Sequence, residues 1–584
     1  MRKILHHRSS LLHRRGVALL MVLLIILAIT ILATGFLAGA DTELACGVNT
    51  LLRLQMDQLA ESGLEHARGL ILHPQDVPAD FWTSGATAQQ LAADSRDYYN
   101  VRTVREPNQP MDYCTYDITC EAYRLVGTEK TGQSCLAAVL RLDPCIGLWS
   151  NGDLDFRTSW CLYGDARSGG KFLNLAVPQS VDGDAFARRL EGSIVGQFGD
   201  VNQLALTWPP VTQTYTNPEY ANGTVSGTLS GSAYPAAIWR SAGDLVLGGN
   251  VTIQGMLLVA GNLTIQGNAN RIAAAPRLPA LYVKGNLTIE KVEGLQIEGL
   301  AVVDRDVQIN ASAAQVAVVG ALFVRGTLVE TTADASGNGH AGVIRGNPVW
   351  AGGKLGGALQ LDGVGDYIDG GTNPAFDIGN RITVAAWVNP KDAGDGRYHP
   401  YVTKGDHTYS LQHRHLAGDP NDSIEFFIHD AGTWQSVRSA VDASFNGAWH
   451  HVAGTYDGND LCLYIDGVQK ATTHHVGTIA VRPPYPLYIG ADCEWPDRTY
   501  QGTIDDVRLY SCALSGPEIG NVIAGAAVTS GLVARWALDE SGSSLTVTVD
   551  PMRAAIVAWE AGVPQGWSPA AGGFYRSIRR QYQY

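Results

Sequence analysis

The hydrophobic pattern changes character four times along the chain. From Val17 to Ala38 the positions are apolar and uncharged, a run that spans roughly 33 Å as a helix and is long enough for a bilayer core. Leu44, Val48, Leu51, Leu52, Leu54, Leu59, Leu64 and Leu70 then continue at approximate helical spacing, mixed with Arg53, Asp57, Glu61, Glu65 and Arg68, until Pro74. The pattern predicts one helix from Val17 to about Leu72, with 17–38 membrane-spanning. Residues 73–215 alternate weakly in short stretches such as YYNVRTV and CLAAVLRL, which predicts a mixed α/β head of unfixed topology.

Between Ser241 and Glu330 short apolar strands recur behind turn residues: GDLVL, GNVTI, GNLTI, GNLTI, RDVQI and RGTLV, starting at Gly243, Gly249, Gly261, Gly285, Arg305 and Arg325. Recurrence of one strand and one corner is the signature of stacked β-coils, so 216–332 is read as a β-solenoid-like scaffold, with an antiparallel meander as the alternative. Beyond it, ITVAAWV alternates strictly, and HVAGTY, LCLYI, PLYIG and DVRLY are further strands between Gly, Asn and Asp turns. Two facing sheets account for that pattern, and the fold class is mainly β with one long N-terminal helix.

Arg2, Lys3, Arg8, Arg14 and Arg15 precede the apolar run with no acidic residue among them, which keeps residues 1–16 cytoplasmic and sends the remainder outward. A cleaved signal peptide ending near Ala38, Gly39 and Ala40 is the competing reading. The basic leader closing on Gly16, the tract GVALLMVLLIILA and the later QLAESGLEHARGL resemble bacterial type IV pilins and pseudopilins, in the style of K-type minor pseudopilins of type II secretion and PilX-like pilus assembly proteins. The resemblance implies cleavage by a prepilin peptidase between Gly16 and Val17, and assembly with other pilins or pseudopilins. It also implies an inner-membrane location with an exported head, or a periplasmic or extracellular filament. Met21 stands where most major pilins carry a glutamate, which suits a tip or initiating position.

From Asp334 to Ile519 the motifs SGNGHAG, GGALQLDGVGDYI, ITVAAWVNP, WHHVAGTYDG, LYIDG and GTIDDVRLYSCALSGPEI follow in order. They resemble the laminin-G-like, concanavalin A-like jelly rolls. That family's opening strand is missing before ADASGNGHAG, but its pattern occurs later as GLVARWALDESG. We therefore expect a permuted jelly roll at 333–543 in which Val533 to Leu538 pairs inside the sandwich, with 544–584 returning to the host domain. The family implies a glycan or surface-protein ligand, and some members bind calcium. The nearest hard-oxygen ligands are Asp362, Asp366 and Asp505, whose competing role is to cap turns. Tyr401, Trp434, Tyr485 and Trp495 are the loop aromatics suited to stacking on sugars.

Composition adds exclusions. A net charge of −14 argues against nucleic acid as a partner. The nine cysteines permit disulfides on the exported side, and none has the spacing of a zinc or redox site. Glu425 stands alone in IEFFI, and no paired-carboxylate strand, G-x-S-x-G elbow, H-E-x-x-H or Walker sequence occurs, so no enzyme is expected.

Overall fold

The computed structural model describes residues 11–72, 86–105, 115–141, 146–157, 159–174, 180–203, 208, 215–275, 278–391, 396–414, 422–549 and 574–581. The helix runs Leu11–Leu72 and so starts before Val17, placing the Gly16–Val17 bond within it. Its apolar stretch holds polar groups only where the helix itself satisfies them: Thr30 and Thr34 donate to the carbonyls of Ile26 and Thr30. From Met56 onward the helix acquires a buried face. Met56, Leu59, Ala60, Leu64 and Ala67, spaced one turn apart, pack on Tyr99, Val101, Ile118, Cys120 and Leu136. A Cβ on Gly63 would overlap Cys120 and Tyr99, so glycine permits the close approach of helix and sheet. That sheet is antiparallel, in the order Ala86–Gln89, Asp97–Arg105, Thr115–Val126, Glu129–Arg141 and Phe574–Gln581.

The repeat region is a solenoid of parallel strands in two facing sheets. In one, Leu245–Leu247, Leu263–Ile265, Leu287–Ile289, Val307–Asn310 and Leu328–Thr332 stack in register, aligning Leu245, Leu263, Leu287, Val307 and Leu328 in a buried column. The GNVTI run belongs instead to the second sheet, in Thr252–Val259. A ladder runs up the corner before the column. Asp244 accepts the Asn262 amide, Asn262 that of Asn286, Asn286 that of Asp306, and Asp306 that of Thr327, at 2.7–3.2 Å. Gly261, Gly285 and Gly326 sit where a Cβ would overlap the side-chain oxygen of the rung below, which is why glycine recurs.

The expected head, 73–215, ends earlier than its composition indicated. From Ile146 to Asp200 the chain forms further parallel rungs: Ile146–Ser150 pairs with Leu322 to Val324, and Asp165–Ser168, Ala185–Ala187 and Phe198–Asp200 extend outward. The chain then passes to the opposite end, where Asn222–Thr224 begins the rungs that climb back. These early rungs turn on Gly-Asp corners, where Asp153 accepts the Lys171 amide, Asp165 that of Asp184 and Asp184 that of Gln197, and alternation over three or four residues does not separate them from the head.

After Thr332 the chain leaves the solenoid and builds a sandwich. One sheet continues directly from the solenoid, with Thr331 and Thr332 opposite Val343 and Gly342. It carries Tyr367–Gly371, Leu487–Ile489, Tyr398–Thr403, Tyr409–Arg414, Ser423–Asp430 and Thr433–Ala440. The facing sheet contains Gly357–Asp362, Gln501–Tyr510, Ile382–Pro390, His450–Tyr456 and Asp460–Ile465. Leu532–Trp536 pairs antiparallel with Gln501–Tyr510, and Trp536 is fully buried, its indole donating to the His340 carbonyl. Asp334 accepts the Arg535 amide, tying the SGNG turn to this late strand. The chain then returns to the solenoid, where Leu545–Val549 inserts between Ala314–Val324 and Trp160–Tyr163.

Exit and return meet at a buried polar junction. Glu330 accepts both the amide and hydroxyl of Ser543, at 2.7 and 2.6 Å, and the Trp160 indole donates to the same hydroxyl. Arg157 lies 3.4 Å from Glu330 and donates to the carbonyls of Ile344 and Gly346 in the jelly roll. Two substitutions test these contacts by calorimetry of the full chain. Trp536→Ala should destabilise the jelly-roll transition by about 3–5 kcal/mol through a core cavity. Arg157→Ala should cost a similar ~3–5 kcal/mol by leaving Glu330 buried without its cation.

Candidate functional site

At one end of the sandwich the turn from Lys404 to Thr408 organises a rim of aromatic and charged side chains. Its foot is rigid. The buried Lys404 ammonium lies 3.0 Å from Asp377 and donates to the Tyr485 carbonyl, while Thr403 accepts the Gly405 amide and Thr408 donates to the Lys404 carbonyl. Gly405 has φ +82°, and a Cβ there would press on Glu494 and Tyr485.

Asp406 and His407 project from this turn. Arg498 donates to Asp406 Oδ2 at 2.8 Å, and the Trp434 indole donates to the Asp406 carbonyl at 2.8 Å. Glu494 receives the His407 amide at 3.0 Å and lies 2.7 Å from His407 Nδ1. The Tyr485 hydroxyl also bonds to Glu494, which raises the pKa of the phenol. The rings of His407 and His429 lie 5.5 and 5.4 Å from that of Trp434. Burial, then the neighbouring His407, lowers the pKa of His429. The Arg498 guanidinium lies over Trp495 at 5.0 Å and over Tyr398 at 4.7 Å.

Trp434 and Trp495 are about half exposed, at 54% and 48%. The structure therefore brings three of the four expected aromatics, Trp434, Tyr485 and Trp495, to one rim. Tyr401 is corrected: it is fully buried, its ring edge-on to Tyr500 at 5.0 Å. The pairing of Tyr398–Thr403 with its neighbour shifts between Pro400 and Val402, so Tyr401 sits at a bulge and turns into the core. The rim residues that sequence reading missed are Asp406, His407, His429, Glu494 and Arg498. They come from two separate loops and the end of the strand Ser423–Asp430, and no spacing in the chain links them.

The carboxylates expected to hold calcium do not converge. Asp362 and Asp366 line a cleft of about 720 Å³ between solenoid and jelly roll, together with Asp153, Asp155, Arg345, Tyr367 and Tyr488. Asp366 accepts the amides of Asn347 and Asp362, and Asp362 accepts that of Val364. Asp505 lies on the facing sheet and accepts the amides of Lys354 and Leu355. Backbone N–H groups take the oxygens a cation would need. Among the described residues no group of three His, Cys, Asp or Glu is placed to hold a metal. The described cysteines are all free, and burial pushes the Cys493 thiol beside the rim up to about 12.

Residues 361–520 match the Laminin_G_3 family model, described as the concanavalin A-like lectin/glucanases superfamily. This stretch is a concanavalin A-like jelly roll. No curated protein matches the chain. Among solved structures, domain 4 of AbnA, a GH43 extracellular arabinanase from Geobacillus stearothermophilus, in complex with arabinotriose, is 22% identical, with a TM-score of 0.24 over 30% of this chain and 82% of that one. A putative carbohydrate binding protein from Bacteroides ovatus is 20% identical, with a TM-score of 0.24 over 28% of this chain and 46% of that one, so the jelly roll spans less than half of that protein. A SAP-like pentraxin from Limulus polyphemus is 15% identical, with a TM-score of 0.22 over 27% of this chain and 76% of that one.

Beneath the rim, Asp492 accepts the Glu494 amide at 2.9 Å, and burial, with Asp406 nearby, pushes its carboxyl up to about 7. A raised carboxyl pKa means that the folded state holds the proton more tightly than the unfolded chain, whose Asp titrates near ~3.9. The stability this proton contributes is full below about pH 4 and is lost as pH rises toward about 7. Asp492→Asn should remove that loss, so the stability difference between variant and wild type, read from unfolding midpoints, should grow in the variant's favour across this window. A constant difference would contradict it.

Proposed function

We propose that this chain is a pilin-like or pseudopilin-like display protein: its N-terminal helix anchors it in the membrane and then in a filament, and its jelly roll recognises a glycan. The observation that carries the recognition role is the rim, where Trp434 and Trp495 stand half exposed around a turn pinned by buried contacts. A surface that keeps two tryptophans in water while fixing their backbone is organised to contact something.

The length of exposed helix favours a filament over a plain anchor. The apolar span from Leu19 is followed by Leu44, Val48, Leu51 and Leu54, all more than half exposed, while packing on the head sheet begins with Leu52 and becomes complete from Met56. A bilayer core of ~30 Å covers about 20 helical residues and leaves these leucines and this valine uncovered. Helices of neighbouring subunits would cover them. Membrane lipid, a prepilin peptidase and other pilin-like chains are then the partners of the helix, and an extracellular glycan or glycosylated surface protein is the partner of the jelly roll.

Mass spectrometry of the protein recovered from its native membrane separates the readings. A mature chain beginning at Val17 is the expected result. An intact Met1 would overturn filament assembly through prepilin processing and leave a membrane-anchored glycan-binding protein as the second reading.

A further inference from the structure

We infer that the rim takes a neutral oligosaccharide long enough to reach both tryptophans, and that charge plays no part in its recognition. This rests on the glycan-binding reading above and goes further by naming the ligand class.

The first ground is the state of the charges. Glu494 is occupied by the His407 amide, the His407 ring and the Tyr485 hydroxyl. Asp406 is occupied by Arg498, whose guanidinium also lies 3.6 Å from Asp492. Lys404 is fully buried against Asp377, Asp430 bonds to His475, and Arg397 bonds to Asp497. An anionic sugar would have to break one of these pairs, at a cost in desolvation. Arg482 is the exception at this end: exposed beside Tyr485, it acts electrostatically on Tyr485 and on His429, so it is the cation whose removal tests the inference.

The second ground is spacing. Trp434 bonds to the carbonyl of Asp406, while Trp495 lies under the guanidinium that holds the Asp406 carboxylate. The two rings are therefore tied to the two partners of one ion pair, Trp434 to Asp406 and Trp495 to Arg498. One sugar ring stacks on one tryptophan, so engaging both takes a chain of sugars. The Arg498 and Asp406 side chains keep 19% and 15% of their surface exposed. His429, 4% exposed, packs its ring against Trp434 and backs that end of the rim.

The test is a glycan array followed by titration calorimetry, using the full chain in detergent micelles with neutral, sialylated, sulfated and uronic-acid oligosaccharides at low and high salt. The inference expects neutral oligomers to bind with salt-independent affinity, and the corresponding monosaccharides to bind at least about tenfold more weakly. Trp434→Ala and Trp495→Ala should each weaken binding by about tenfold or more, whereas Trp434→Tyr and Trp495→Tyr, which keep an aromatic face, should retain most of it. Arg482→Ala should leave affinity unchanged. Preferential, salt-sensitive binding of anionic glycans, or loss of binding in Arg482→Ala, would overturn the inference while the glycan-binding reading stands. Monosaccharides binding as tightly as oligomers would overturn the two-ring arrangement alone. Absence of binding to any glycan would overturn the glycan-binding reading and this inference with it.

Discussion

The rest of the structure depends on one constraint: the chain leaves the solenoid after Thr332 and must re-enter it at Leu545, beside the point of departure. Glu330 enforces this by accepting both the amide and the hydroxyl of Ser543, and Glu540 repeats the pattern by accepting the Ala333 amide and the Thr332 hydroxyl. Each carboxylate sits on one arm and holds the other. Because the arms are closed in this way, the returning arm can give its strand Leu532–Trp536 to the sandwich and its next strand Leu545–Val549 to the solenoid. The same junction also joins the two ends of the solenoid path, since Leu545–Val549 bridges Ala314–Val324 and Trp160–Tyr163.

That closure works only if the rungs below it are in register, and register in a parallel stack comes from the corner. Each Asp or Asn side chain accepts the amide of the residue one rung up, so a slip of one residue would break the ladder and expose the Leu and Ile column. Glycine before Asn262, Asn286 and Thr327 leaves room for the side-chain oxygen of the rung below. At the top of the ladder Asp306 holds Thr327, the next strand is Leu328–Thr332, and its last residues pair with Gly342 and Val343 of the jelly roll. One sheet therefore runs without a break from solenoid to sandwich, and the orientation of the inserted domain is set by backbone hydrogen bonds as well as by side chains.

What the sequence disclosed follows the range of the interactions. The long helix, the rungs after Gly243 and the alternating jelly-roll strands depend on neighbours a few residues apart or on a corner that repeats, and their patterns are visible along the chain. The rungs from Ile146 to Asp200 stack on residues far away in sequence and carry their corners as Gly-Asp, at Asp153, Asp165 and Asp184, without the Leu-Thr-Ile strand that marks the later repeats, so they read as generic short strands. Tyr401 was misplaced because a bulge reverses the side of the sheet to which it points, and a bulge leaves no trace in an alternating pattern. Asp362, Asp366 and Asp505 were read against their alternative role, and the structure gives each a backbone amide to hold. The rim itself is assembled from residues 404–408, 429–434 and 485–498, and its coherence exists only in three dimensions.

The buried charges explain how such an assembly keeps its shape. Buried ion pairs contribute little net stability, because desolvation offsets their attraction, so their positions are informative chiefly about geometry. Here they occur where backbone from distant parts of the chain must be held. Arg157 and Glu330 lie at the junction of solenoid and insert. Asp506, between Arg508 and Arg535, ties the late strand to the sheet it completes. Lys404 against Asp377 fixes the foot of the turn that carries Asp406 and His407. Apolar substitutes would fill the same volumes, but they have no directional bond with which to aim a carbonyl or fix a loop. At the rim that direction is passed outward, from Lys404 to the turn, from Asp406 to Arg498, and from Arg498 to the face of Trp495. An exposed aromatic surface is thereby held by groups that are themselves largely buried.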